Sequence, residues 1–149
     1  MSPLKEWMRE TALLYRDYSR KLAIWAEDTD EQAKLEDRLA DLALMETEFM
    51  ERSHEITRNV DEGRRMQSRR VGHDVTLHEW ARSEGILPEF EEAAAAVADV
   101  SRKRVEAMRI LEEVRNKIKS ERDKISRARK TNSKYTRPRE SGRRLNGQA

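Results

Sequence analysis

Apolar residues along most of the chain fall three and four positions apart, the spacing of one helix face, and the runs that obey it mark three helical stretches. The first is residues 4–27, where Leu4, Trp7, Met8, Leu14, Tyr18, Leu22 and Trp25 share one side. Ser2-Pro3 suits its start, because proline is already set for the first helical turn. The segment Glu27-Asp28-Thr29-Asp30-Glu31 predicts a kink or short break, since Asp or Thr can cap a new helix. Beyond it lies the clearest pattern: Leu35, Leu39, Leu42, Glu46, Phe49, Ser53, Ile56 and Val60 step alternately by four and three. This is a heptad seam with two polar positions, Glu46 and Ser53. The helix is expected to run on to about Arg82, with Gly63 and Gly72 each weakening it by up to roughly 1 kcal/mol relative to alanine.

Gly85-Ile86-Leu87-Pro88 then supplies a stop and a restart, glycine closing one helix and proline opening the next. The third stretch, Pro88 to Ser126, carries Phe90, Ala94, Val97, Val100, Val105, Met108, Leu111, Val114, Ile118 and Ile125, and Ala93–Ala96 would admit a close neighbour near the turn. Past Ser126 the apolar period ends. The sequence thus predicts an all-α fold: a long antiparallel helical hairpin or three-helix coiled coil over residues 3–128, with a disordered basic tail at 129–149. Each long helix covers only one side of the other, so a homodimer or higher assembly is expected.

Composition narrows the function classes. Only 36% of the 149 residues are hydrophobic and 40% are charged, which favours long helices with narrow seams over a large core. No apolar run approaches the roughly 20 residues needed to cross a bilayer, and the N-terminus lacks the apolar stretch of a signal peptide. Zero cysteines exclude disulfides and thiolate zinc sites. His73 and His78 stand five apart, on different sides of a helix, and His54 lies elsewhere, so no metal ligation is expected. No nucleophile elbow, phosphate loop or carboxylate pair is present, and the chain reads as non-enzymatic and cofactor-free. The formal charge of +2 conceals a polarity: residues 126–149 carry +7 and residues 1–125 carry −5. Such a distribution points to an anionic partner.

The strongest cationic set in the helical body is Arg58, Arg64, Arg65, Arg69 and Arg70. Arg65 and Arg69 are one turn apart, and guanidinium groups suit phosphate through paired hydrogen bonds. The plainer reading is a solvated face with local ion pairs to Asp61 and Glu62. A second set, Arg102, Lys103 and Arg104, falls on the return helix. If the helices pair from the turn at Gly85–Pro88, residue 70 lies near residue 103 and the two sets form one patch.

The stretch Thr11-Ala12, Arg16-Asp17, Arg20-Lys21-Leu22-Ala23-Ile24-Trp25, with the acidic run to Glu31 and then Asp37-Arg38-Leu39 and Leu42, resembles the eisosome core-component family of fungi. A second likeness is Leu87-Pro88-Glu89-Phe90-Glu91-Glu92-Ala93 entering a long helix. The resemblance spans about residues 8–125 and is distinctive over 10–50. It implies a BAR-like scaffold shortened at both ends: a crescent-shaped antiparallel homodimer that binds phosphoinositide-containing membrane on the cytoplasmic face of the plasma membrane and polymerises there. The alternative is a soluble coiled-coil adaptor without lipid binding. Nucleic acid is the weaker partner, because Tyr135 is the only aromatic of the tail.

Overall fold

The computed structural model describes residues 3–27 and 35–148, with side chains described as far as Asn132. Every element is helical: α1 Pro3–Glu27, α2 Leu35–Val71, α3 Leu77–Ser83 and α4 Leu87–Gln148. The predicted first helix is therefore present as expected. The expected break between the first two helices falls on residues outside the described set. The chain forms two units, Met1–Met108 and Arg109–Ala149.

In the first unit α1 and α2 run antiparallel. Trp25 meets Arg38 near one end of the pair, Tyr15 meets Ser53 further along, and Glu10 meets Arg52. The start of α4 lies alongside α1 in the same direction, with Lys5 reaching Glu89, Arg16 reaching Glu92 and Ser19 bonding Asp99. The apolar seams meet as their spacing requires. Leu4, Leu22 and Val100 are fully enclosed, each worth about 1.5–3 kcal/mol of hydrophobic stabilisation. Ile56, Val60, Val75, Trp80, Ala81, Ile86 and Ala93 close the core with Leu4 and Met8.

The predicted second helix is too long. It ends at Val71 rather than Arg82, because Gly72 takes φ +83°, a conformation that ends a helix and that side-chain-bearing residues resist. Thr76 then caps α3, its Oγ1 accepting from the Glu79 N–H at 3.1 Å. A second left-handed glycine, Gly85 at φ +70°, closes α3, and Ile86 N–H returns to Ala81 O at 3.0 Å. The single hairpin turn expected at Gly85–Pro88 is thus two turns with a seven-residue helix between them.

The buried line on α4 also differs from the one expected. Ala93, Ala96, Val100 and Ala107 are buried, whereas Val97, Val105 and Met108 are 38%, 71% and 63% exposed. Ile86, Ala93, Ala96, Val100 and Ala107 step by seven, three, four and seven, so they stay on one face, and that face turns inward. In the second unit Ile110, Leu111, Val114 and Ile118 are half-buried, and residues 119–132 are exposed. The backbone stays helical through 129–148, where the sequence predicts a disordered tail; from residue 133 the side chains lie outside the described set.

The two polar seam positions are both used. Glu46 receives the Tyr18 hydroxyl and the Arg104 guanidinium, the latter at 2.6 Å, so one carboxylate joins α1, α2 and α4. Phe49 stacks on Tyr18 with centroids 4.1 Å apart, and the Arg104 guanidinium lies 5.1 Å from the Phe49 centroid. Ser53 pairs with the Tyr15 hydroxyl at 3.1 Å. Arg104 Nε is buried without a partner among the described residues, so this layer is not fully satisfied.

Two stability outcomes follow. A methyl group at Gly63 would stand 2.6 Å from the Trp80 ring and 2.9 Å from the Trp7 ring. Gly63→Ala should therefore destabilise by about 1–3 kcal/mol despite alanine's better helix propensity; a urea midpoint equal to or above that of the parent would refute the packing. Glu46→Ala should cost about 1–2 kcal/mol, the usual value for a charge-assisted hydrogen bond reduced for partial exposure. Glu46→Ala combined with Arg104→Met should cost less than Glu46→Ala alone, because no half-buried cation is then orphaned. Additive losses in the double variant would show that the pair is not coupled.

Candidate anion-binding face

The geometry of α2 decides which arginines are presented outward. Phe49, Ser53, Ile56 and Val60 point into the core, and the backbone of Gly63 continues that line against Trp7 and Trp80. At about 100° per residue, Arg58, Arg65 and Arg69 fall within roughly 40° of one another on the opposite side. All three are exposed, as is Arg70, which lies about a third of a turn around the helix from them. None of these four makes an ion pair among the described residues. Asp61 and Glu62, their expected neutralising partners, take none of them.

Arg64 belongs to a different structure. Its Nη1 donates to Asp74 Oδ1 at 3.3 Å and to Val75 O at 3.1 Å, tying the end of α2 to the linker before α3. In the same linker the Val75 N–H donates to Ser68 Oγ at 3.0 Å. Arg64 is therefore an internal strut rather than a member of the outward set.

The second predicted set does not join the first. Arg104 faces Glu46 and Met50, so α4 meets α2 in a register some twenty residues from the one expected, because α2 stops early and α3 takes up the intervening chain. Arg104 is spent on the Glu46 carboxylate, and Arg102 pairs with Asp99 at 3.4 Å. Lys103 is half-buried. The Ser19 hydroxyl holds the Asp99 carboxyl below the usual carboxylate range; burial opposes this, while Arg102 and Lys103 reinforce it.

A groove of about 360 Å³ opens beside the Glu46–Arg104 pair, lined by Tyr18, Leu22, Leu39, Leu42, Ala43, Ala107 and Met108. Sequence reasoning missed it because Leu39 and Leu42 read as seam residues, whereas Leu39 is 43% exposed. Also missed was the clasp between α1 and α2. Trp25 Nε1 donates to Arg38 O at 3.1 Å, Arg38 donates back to Trp25 O at 3.0 Å, and its guanidinium lies 4.6 Å from the indole centroid. Trp25 and Arg38 both belong to the motif-bearing stretch, but nothing in their spacing announced the reciprocal bonds.

Among the described residues no His, Asp or Glu cluster could hold a metal ion, and no helix is long and apolar enough to cross a membrane. No family model, curated protein or solved structure matches the chain.

Asp99 gives a pH signature. Its folded pKa is depressed, so the stability it contributes is fully present above the ordinary carboxylate pKa of about 4 and is lost as pH falls through the lower folded value. Ser19→Ala should raise the Asp99 titration midpoint, read by NMR of its carboxyl carbon, and its stability loss should be present in full above about pH 4 and shrink as pH falls below it. An unmoved midpoint would show that the hydroxyl is not the cause.

Proposed function

We propose that the protein is a peripheral membrane scaffold that binds anionic, phosphoinositide-containing surfaces through Arg58, Arg65, Arg69 and Arg70 and associates with further copies of itself. The observation that carries this reading is the outward set on α2: four exposed guanidinium groups within thirteen residues, none internally paired among the described residues. A rigid helix that keeps such groups free holds them ready for phosphate, and the planar fork of arginine binds phosphate oxygens two at a time. Arg64, Arg102 and Arg104 support the fold and drop out of the binding set.

The resemblance to eisosome core components supplies the lipid class, the inner face of the plasma membrane as the location and a BAR-like antiparallel homodimer as the assembly. The apolar groove beside Met108 supports self-association, since Met108 and Leu39 leave apolar surface for a second copy to cover.

Co-sedimentation with liposomes containing or lacking phosphatidylinositol bisphosphate, at near-physiological salt, tests this. At about 1 kcal/mol per basic residue near an anionic bilayer, replacing all four arginines by glutamine should weaken partitioning several hundredfold. Helix content should be unchanged. Phosphoinositide-dependent pelleting that survives the replacement moves the contact elsewhere on the chain. No pelleting above a neutral-lipid control leaves the soluble coiled-coil adaptor as the better account.

A further inference from the structure

One hydroxyl stands inside the arginine cluster. Ser68 follows Arg64 and Arg65 by four and three positions and precedes Arg69 and Arg70 directly. It is half-buried in the last turn of α2, where its Oγ accepts the Val75 N–H and its carbonyl accepts the Gly72 N–H, both at 3.0 Å. The helix ends three residues later, so residues 64–71, about two turns at its end, must unwind and Arg64 must leave Asp74 and Val75 to present Ser68 with both arginines in an extended segment. Other hydroxyls meet these conditions less well. Ser19 has Arg16 three positions before it but is buried and bonded to Asp99; the basic residues around Ser101 follow it directly rather than precede it.

We propose that Ser68 is the acceptor for a protein kinase that reads arginine three and four positions before its target, and that the phosphate disarms the arginine face. Enzymes of this kind select substrates by acidic groups that pair with the preceding arginines. In the transfer, the bond from the γ-phosphorus of ATP to the bridging oxygen breaks and Ser68 Oγ bonds that phosphorus. The hydroxyl proton passes to the base of the kinase and ADP leaves. The new group carries about −1.5 to −2 charge at pH 7 and three acceptor oxygens. It lies one turn from Arg64 and Arg65 and beside Arg69, so it draws guanidinium groups inward and offsets about half of the cluster's charge. It also turns the oxygen that accepts the Val75 N–H into a crowded ester oxygen carrying a bulky dianion at a half-buried position, which loosens that bond, and it competes with Asp74 for Arg64. The modification stands independently of the membrane reading; its effect on lipid binding rests on that reading.

The test treats the full chain with ATP and the catalytic subunit of an arginine-directed kinase, with Ser68→Ala alongside. About one phosphate per chain should map to Ser68, and the variant should lose at least nine-tenths of the label. Hydrogen exchange at the Val75 amide should speed up at least tenfold after modification, and pelleting with phosphatidylinositol bisphosphate vesicles should fall at least tenfold. Equal labelling of Ser68→Ala, or phosphate mapped elsewhere, overturns the site. A phosphorylated chain that still pellets as before, or an unchanged Val75 amide, overturns the switch. If the unmodified chain fails to pellet, the membrane reading falls, and the label and the Val75 amide decide the Ser68 proposal without it.

Discussion

A single half-buried carboxylate holds the first unit in register. Glu46 accepts from Tyr18 of α1 and from Arg104 of α4, and the stacked rings of Tyr18 and Phe49 cover the pair. In a chain so poor in apolar residues, a purely hydrophobic seam would leave several registers close in energy. Sliding α2 by one heptad would strand this carboxylate and this guanidinium in partly dry surroundings without partners, which costs far more than the loss of one apolar contact. The polar layer therefore selects an alignment more than it adds stability, and the unpaired Nε of Arg104 is part of what that selection costs.

The outward arginines are the other face of the same helix and inherit its order. The inward line from Phe49 to Gly63 pins the rotation of α2, and that rotation sets Arg58, Arg65 and Arg69 side by side. Gly72 then ends the helix a few residues beyond the last arginine, and Arg64 fastens the chain to the linker through Asp74 and Val75. A cationic face built this way needs no pocket. Its definition comes from packing on the far side of the helix.

Much of this was legible in the residues. The four-three stepping from Leu35 to Val60 located α2 and its polar seam positions, and the first helix was plain from Leu4 to Trp25. The early end of α2 was written in the sequence as well: Gly72 followed by Thr76-Leu77-His78-Glu79 has the form of a capping box. Read without it, the helix runs on and the pairing register shifts. That is why Arg102–Arg104 read as neighbours of Arg70, when in fact Arg104 meets Glu46. The inward turn of Ala93, Ala96 and Ala107 was harder to see. Valine outranks alanine in hydrophobicity, yet a close helix contact favours the smaller side chain. Local pattern carries helix existence and face; which faces meet is set by where the chain reverses.

The notch at Gly63 has an optical consequence. Because that position carries no side chain, the rings of Trp7 and Trp80 approach to 6.5 Å between centroids at 67°. Two indoles so close and so steeply inclined have coupled excited states, and their joint near-ultraviolet circular dichroism belongs to the pair rather than to either ring. Trp25 sits apart, clasped to Arg38. The chain thus carries its own two-channel probe, one signal for the end of the bundle where α1, α2 and α3 converge and another for the junction of α1 with α2, and the two can be followed separately without any label.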